Sequence, residues 1–291
     1  MTSVTSPRRG FGTLTSVPVR AFDLEKTLHS GQVFHWQKIG AGYIGAIDET
    51  AVYLEQSDRI LLCAKSQCDR VIQYLALDHQ MDSIEATFPR DSALREATKF
   101  SRGLRIVRQP PWECLATFLT SALKQVSQIR AISLAIRQSF GRSLRLGEHV
   151  LFSYPRPEIL ANVRLEDLTA CKLGFRTKNV LAAARMIGEG DINLDAINGL
   201  PTAVARDELC RIPGVGPKIA NCVLLFAYGR LEVVPVDVWI ERALRVNYFS
   251  GKTEALTNEI RAFSNEYFGP FGGYAQQYLF HYWRLNGRKL V

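Results

Sequence analysis

The sequence has no hydrophobic run of the roughly 18 residues that a membrane-spanning helix needs, and it is poor in cysteine. No apolar stretch follows Pro7-Arg8-Arg9, so we expect no secretory signal. The 6 cysteines include no C-x-x-C pair, which argues against a zinc or iron–sulfur site and against a disulfide framework. We therefore expect an intracellular protein that is not secreted, has no membrane partner, binds no metal and needs no cofactor.

The chain has an excess of basic residues. Its 291 residues suggest one large domain or two ordinary ones. With 47% hydrophobic and 22% charged residues it has an ordinary globular composition. The formal net charge is 36 − 28 = +8 and the pI is about 9.3. This charge suits a polyanionic partner, although many basic proteins bind none.

The pattern of apolar residues changes along the chain and predicts an α+β protein. We expect residues 1–17 to be flexible and residues 18–108 to form an N-terminal α+β domain. Residues 109–291 follow as an all-α domain with no second sheet. Runs rich in β-branched and aromatic residues predict an antiparallel sheet with strands at Val33–Ile39, Tyr43–Ile47, Ala51–Gln56 and Arg59–Cys63. An extended piece near Leu104–Arg108 leads into the helical half, where apolar residues recur at helical spacing.

The segment Leu209–Cys222 predicts a helical hairpin. Pro213-Gly214-Val215-Gly216 forms a tight turn, and Pro217 suits the first position of the next helix. We expect the amides of Val215, Gly216 and Lys218 to point outward beside the positive end of that helix, where a DNA phosphate would bind. The alternative is a plain helical hairpin with a glycine-rich connection.

Lys218 lies in the first turn of the second hairpin helix. A lysine amine beside an electrophilic carbon can act as a nucleophile and form a Schiff base, whereas the simpler interpretation is a surface lysine or a phosphate contact. Cys222 follows one turn later on the same face and either exchanges a proton with Lys218 or is simply buried.

Asp237 ends the apolar segment Val233-Val-Pro-Val-Asp237 and precedes another predicted helix. An aspartate at this place is a good helix N-cap. With the hairpin lysine 19 residues earlier, the same carboxylate is also placed to stabilise positive charge on a sugar ring or to move a proton.

Several motifs in one order resemble the helix-hairpin-helix DNA glycosylase superfamily, and within it the eukaryotic-type 8-oxoguanine DNA glycosylase/AP lyases. The resemblance runs from about Leu24 to Leu285. It rests on the hairpin and on Ser30-Gly-Gln-Val-Phe-His-Trp36, Gly103-Leu-Arg-Ile-Val-Arg-Gln109 with Glu113-Cys114, Leu173-Gly-Phe-Arg176 and Gly273-Tyr-Ala-Gln-Gln-Tyr-Leu-Phe280. It implies a TBP-like N-terminal domain, a helix-hairpin-helix glycosylase domain, and a monomer that binds damaged double-stranded DNA.

The resemblance also implies roles for the matching residues. Lys218 would be the nucleophile and Asp237 the assisting carboxylate. Gly31 would offer its carbonyl to the N7 hydrogen that distinguishes 8-oxoguanine from guanine. Gln276 would read the Watson–Crick edge of the base, and Phe280 would stack on it opposite Cys222; alone, such a glutamine and phenylalanine are usually surface and core residues.

Further matches concern the DNA around the flipped base. Phe175 and Arg176 match the residues with which the family fills the gap that an extruded base leaves in the DNA base stack. The alternative is that Phe175 is a buried residue of a capped loop. Leu123, Lys124 and Gln125 stand where the family places asparagines that read the opposite cytosine, and Gln128 stands where it places an arginine. Trp239 replaces a common histidine, which alters a phosphate contact.

These observations predict a bifunctional DNA glycosylase with AP lyase activity that excises 8-oxoguanine in base-excision repair. It would work in a bacterial cytoplasm or nucleoid or in a eukaryotic nucleus. Two alternatives stay open: an alkylpurine glycosylase of the same fold, whose monofunctional members lack the hairpin lysine, and a DNA-binding protein without catalysis.

Overall fold

A five-stranded antiparallel sheet forms the N-terminal part of the computed structural model, which describes residues 10–121, 124–249 and 257–287. The strands are Leu14–Pro18 (β1), Gln37–Ile39 (β2), Gly42–Ile47 (β3), Thr50–Ser57 (β4) and Ile60–Ala64 (β5). The strand order is β1-β5-β4-β3-β2. Tight turns after β2, β3 and β4 make the meander that the sequence predicts, and the α+β class is confirmed.

The edges of this sheet differ from the prediction. The first predicted strand is shorter, because residues 33–36 are buried outside the ladder and only Gln37–Ile39 pairs with β3. The expectation of a flexible segment through residue 17 is wrong for residues 14–17, which pair with β5 from Leu14↔Ala64 onward. Residues 1–9 lie outside the described part.

A second sheet lies in the region predicted to be all helical, and that prediction is therefore wrong for residues 143–152. Ser143–Leu146 (β6) and His149–Phe152 (β7) form an antiparallel hairpin whose turn contains Gly147 at φ +61°. Leu144 and Leu151 are buried against the five-stranded sheet. The hairpin forms because this packing covers apolar residues of both sheets.

Helices make up most of the remaining chain. Their ends follow ordinary capping rules: Asp23 and Asp91 each accept a hydrogen bond from the third residue after them. In the described part, no helix is long and apolar enough to cross a membrane. The helices are Leu24–His29 (α1), Cys68–Tyr74 (α2), Met81–Glu85 (α3), Ser92–Ser101 (α4), Pro111–Leu119 (α5), Val126–Phe140 (α6), Pro157–Ala161 (α7), Leu165–Ala170 (α8), Thr177–Gly188 (α9), Leu194–Ile197 (α10), Thr202–Cys210 (α11), Pro217–Phe226 (α12), Val238–Tyr248 (α13), Thr257–Tyr267 (α14) and Gly272–Asn286 (α15).

Two large hydrophobic cores stabilise the sheet part and the helical part of the chain. The smaller one packs the sheet against α1 and α2, whereas the larger one joins the helices from α5 to α15. Buried side chains between Met81 and Ile106 belong to the larger core. The sheet part therefore reaches into the helical part, and the domain boundary at residue 108 stays a prediction.

A buried ionic group fastens α5 and α6 to the chain before β2. The Glu113 carboxylate contacts the Arg137 guanidinium and lies 3.3 Å from His35 Nδ1, while His35 Nε2 is 2.8 Å from the Ala46 carbonyl oxygen. Burial raises the pKa of Glu113, against the effect of Arg137, and burial lowers the pKa of His35. Because a buried charge without a partner is costly, these contacts specify how the parts pack.

Candidate active site

The predicted helical hairpin is present as α11 and α12. Its turn needs glycine at position 214, where φ is +86° and an added Cβ would lie 2.1 Å from Asn179 Nδ2 of α9. Gly216 is the N-cap of α12, and nothing lies within 4 Å of the position that a Cβ would take there. The start of α12 is therefore open to a ligand.

Val215 does not present its amide as predicted. Its N–H donates to the Ile212 carbonyl at 3.0 Å within the turn, and its side chain is buried. The prediction of an outward Val215 amide is therefore wrong, because the tight turn uses that donor itself.

Lys218 extends from the first turn of α12 toward the end of α5. Its Nζ donates a hydrogen bond to Ser121 Oγ at 3.3 Å and lies 5.4 Å from the centroid of the Phe118 ring. The side chain is partly buried. The amine is therefore held in place while remaining accessible.

Cys222 and Asp237 both interact with this amine. Cys222 is buried one turn after Lys218, and burial raises the pKa of its thiol to about 11 while the lysine charge acts in the opposite direction. Burial also raises the pKa of Asp237, against hydrogen bonds from backbone amides and the charge of Lys218. The three predicted residues thus lie together.

Asp237 also has the simpler role that the sequence offered. It is the N-cap of α13, and its Oδ1 accepts from the amides of Trp239 at 3.0 Å and Ile240 at 2.9 Å. The cap fixes the carboxylate beside the lysine.

Gly31, Gln276 and Phe280 form a second group, for which α15 supplies Gln276 and Phe280 one turn apart. Gly31 has φ +84°, and a Cβ there would lie 2.9 Å from Phe280 Cε1. Gln277 Nε2 donates to the Ser30 carbonyl at 3.1 Å and thereby ties this loop to α15. The Gln276 side chain is buried, and its Oε1 has no hydrogen-bond partner among the described residues. This oxygen is available to a ligand with a donor.

A cavity of about 240 Å³ adjoins this group. Its lining includes Gly31, Val126, His281 and Arg284, but not Lys218. Ser121, His281 and Arg284 were not predicted as site residues. No local sequence signal marks them, because their contacts join distant parts of the chain.

Phe175 is exposed, so the alternative of a buried phenylalanine is wrong. It lies in a short 3₁₀ helix, Gly174–Arg176, with 72% of its surface accessible. The guanidinium of the buried Arg176 lies 4.0 Å from its ring centroid. An apolar ring supported by an arginine protrudes from the surface at this point.

The remaining predicted residues lie at two helix starts. Gln125 and Gln128 are exposed and form a capping box on α6, in which the Gln125 amide donates to Gln128 Oε1 at 2.9 Å. Lys124 is partly exposed beside them, whereas Leu123 lies outside the described residues. Trp239 is partly buried in the first turn of α13.

A glycine hairpin with a lysine, a cysteine and an aspartate beside it, attached to an N-terminal antiparallel sheet, defines the class of helix-hairpin-helix DNA glycosylases. Comparisons agree with this class. The family model "8-oxoguanine DNA glycosylase, N-terminal domain" matches residues 15–115. The structure of MBOgg1 bound to a low-affinity DNA ligand is similar with a TM-score of 0.90 and 33% identity, covering 95% of this chain and 97% of that one.

Two further relatives cover nearly the whole chain. The Clostridium acetobutylicum 8-oxoguanine glycosylase/lyase, in complex with double-stranded DNA containing cytosine opposite 8-oxoguanine, has a TM-score of 0.88 and 28% identity, over 96% of this chain and 99% of that one. A probable N-glycosylase/DNA lyase of Methanothermobacter thermautotrophicus is 25% identical over 93% of this chain and 96% of its own length. The chain belongs to the 8-oxoguanine DNA glycosylase family.

Proposed function

We propose that this protein is a bifunctional DNA glycosylase and AP lyase that excises 8-oxoguanine from duplex DNA through a Schiff base on Lys218. The observation that carries the proposal is the grouping of the Lys218 amine with Asp237 and Cys222 at the open end of the hairpin. A carboxylate that served only as a helix cap would need no lysine amine beside it, so the pairing of partly buried Asp237 with Lys218 favours catalysis over DNA binding alone.

The reaction follows from this grouping. The Lys218 nitrogen forms a bond to the anomeric carbon as the bond from that carbon to the base breaks, and the base leaves with the electron pair and takes up a proton. Asp237 offsets positive charge on the sugar meanwhile. Loss of a proton from nitrogen and opening of the ring give the Schiff base. Removal of a proton from the adjacent carbon then expels the 3′ phosphate, which is the lyase step.

The base would enter between Phe280 and Cys222. Gln276 Oε1 supports this assignment, because a buried acceptor with no partner among the described residues matches the N–H donors on the Watson–Crick edge of a guanine. The carbonyl of Gly31 would accept the N7 hydrogen of 8-oxoguanine. Since guanine has no such hydrogen, a single acceptor provides the discrimination.

The DNA duplex would contact the open hairpin through the backbone at Gly214 and Gly216. Phe175, exposed and supported by Arg176, would fill the gap that the flipped base leaves. Lys124, Gln125 and Gln128 would face the opposite base, and Trp239 would lie near a phosphate.

The broader assignments are part of the same proposal. The protein would act as a monomer on damaged duplex DNA, with residues 18–108 and 109–291 as its two domains. Its compartment would be one that holds DNA, a bacterial cytoplasm or a nucleus.

Borohydride trapping tests the proposal. Duplexes with 8-oxoguanine opposite each of the four bases are incubated with and without borohydride, and we expect base release and a covalent adduct. Lys218→Gln should bind the lesion duplex but give neither, whereas Lys65→Gln, which changes an exposed lysine of the sheet part, should behave as wild type. Base release by Lys218→Gln would refute the lysine assignment, and a wild-type protein that releases no base would refute the glycosylase.

A further inference from the structure

We propose that Ser121 is a positioning residue for the nucleophile, fixing the direction in which the Lys218 amine points. The inference rests on the proposed function. It starts from the hydrogen bond of 3.3 Å that Lys218 Nζ donates to Ser121 Oγ, between residues that are 97 positions apart.

The serine hydroxyl is itself held in one orientation. Its Oγ donates to the Phe118 carbonyl at 2.7 Å, and the residue is only 8% exposed. Because its single proton is used in that bond, Ser121 can only accept a hydrogen bond from the lysine. The Phe118 ring, one turn earlier, lies under the same nitrogen at 5.4 Å from its centroid. The end of α5 and the turn that follows it therefore contact the amine from two sides.

The other groups that face the amine are ionisable, namely the Cys222 thiol on its own helix and the Asp237 carboxyl at the start of α13. Ser121 differs because it is neutral and rigid. It restricts the rotation of a long side chain without changing the charge of the site, and a fixed direction speeds attack on the sugar carbon.

The test uses Ser121→Ala under single-turnover conditions. We expect borohydride trapping and base release to slow about tenfold, as the loss of one hydrogen bond that orients the nucleophile implies, with an unchanged Kd for the lesion duplex. Ser121→Thr keeps a hydroxyl at this place and should restore most of the rate.

Thr120 offers a matched control. Its Oγ1 donates to the Thr117 carbonyl at 2.7 Å and it is 1% exposed. Thr120→Val removes an equivalent buried hydroxyl and should leave the trapping rate unchanged. The inference is overturned if Ser121→Ala traps DNA at the wild-type rate, or if Thr120→Val slows trapping equally. A wild-type protein that forms no adduct would instead overturn the proposed function and this inference with it.

Discussion

Replacing Gly31 by alanine should separate folding from base recognition. Its φ of +84° costs a residue with a side chain about 1–2 kcal/mol, so the free energy of unfolding should fall by about that amount. The new Cβ would lie 2.9 Å from Phe280 Cε1, which is the far end of a side chain that can turn aside. The steric clash therefore adds little to the loss of stability but moves the Phe280 ring.

The displaced ring should slow base excision. Stacking of an aromatic ring on a base is worth about 1–3 kcal/mol, and a loss of about 1.4 kcal/mol lowers a rate roughly tenfold. We therefore expect Gly31→Ala to release 8-oxoguanine about tenfold more slowly in single-turnover assays, with stability followed by urea denaturation. Gly40→Ala is the control, because Gly40 has φ +52° with nothing within 4 Å of its Cβ position. Equal excision rates for the two variants would refute the reasoning.

Three further predictions concern charge and exposure. Asp237→Asn keeps a good N-cap and should slow base release. Because burial raises the pKa of Asp237, the free energy of unfolding of the wild type falls as pH rises above the ordinary pKa of 3.8. Urea denaturation should show a smaller decrease of this free energy in the variant. Burial lowers the pKa of His281 from 6.5 to about 4, so stability is lost as pH falls through this range, by up to about 3 kcal/mol, and His281→Phe should flatten that loss. Phe175→Ala removes a ring that is 72% exposed, so the free energy of unfolding should change by less than about 0.5 kcal/mol. The affinity for the lesion duplex, measured by gel shift, should fall about tenfold.

Each of these has a contradicting result. An Asp237→Asn protein whose stability follows pH as steeply as wild type would show that the carboxylate is not strained by burial. Unchanged acid sensitivity in His281→Phe would assign that sensitivity to other groups. Normal lesion binding by Phe175→Ala would remove this ring from the DNA interface.

Local chemistry made much of the fold predictable. The turns between β2 and β5, the hairpin at Gly214 and the cap at Asp237 are each specified by a few adjacent residues. Strand β1 was not predictable in this way, because it is defined by pairing with β5, far along the chain. Strand β6 does alternate polar and apolar residues before Gly147, whereas β7 ends in three apolar residues in a row, and these short strands are stabilised by packing on a distant sheet.

The candidate site shows the same contrast between features set by adjacent residues and features set by contacts between distant segments. The positions of Lys218, Cys222 and Asp237 follow from helix spacing and a cap, and the structure places them together. The contacts of Lys218 with Ser121 and of Gly31 with Phe280 join distant segments, so no local pattern specifies them. The direction of the Val215 amide was predicted wrongly, because the turn's own hydrogen bond decides it.

The position of α15 has a consequence for protein synthesis. This helix supplies Gln276 and Phe280 and packs against α4, with Ser101 donating to the Tyr278 carbonyl at 3.1 Å. A growing or prematurely terminated chain that stops before residue 272 already contains Lys218, the proposed nucleophile, but lacks Gln276 and Phe280, which we propose bind the base. Translation therefore completes the proposed base-binding side chains only after the proposed nucleophile, and a nascent polypeptide carries that lysine without the α15 residues proposed to hold an extruded nucleotide against it.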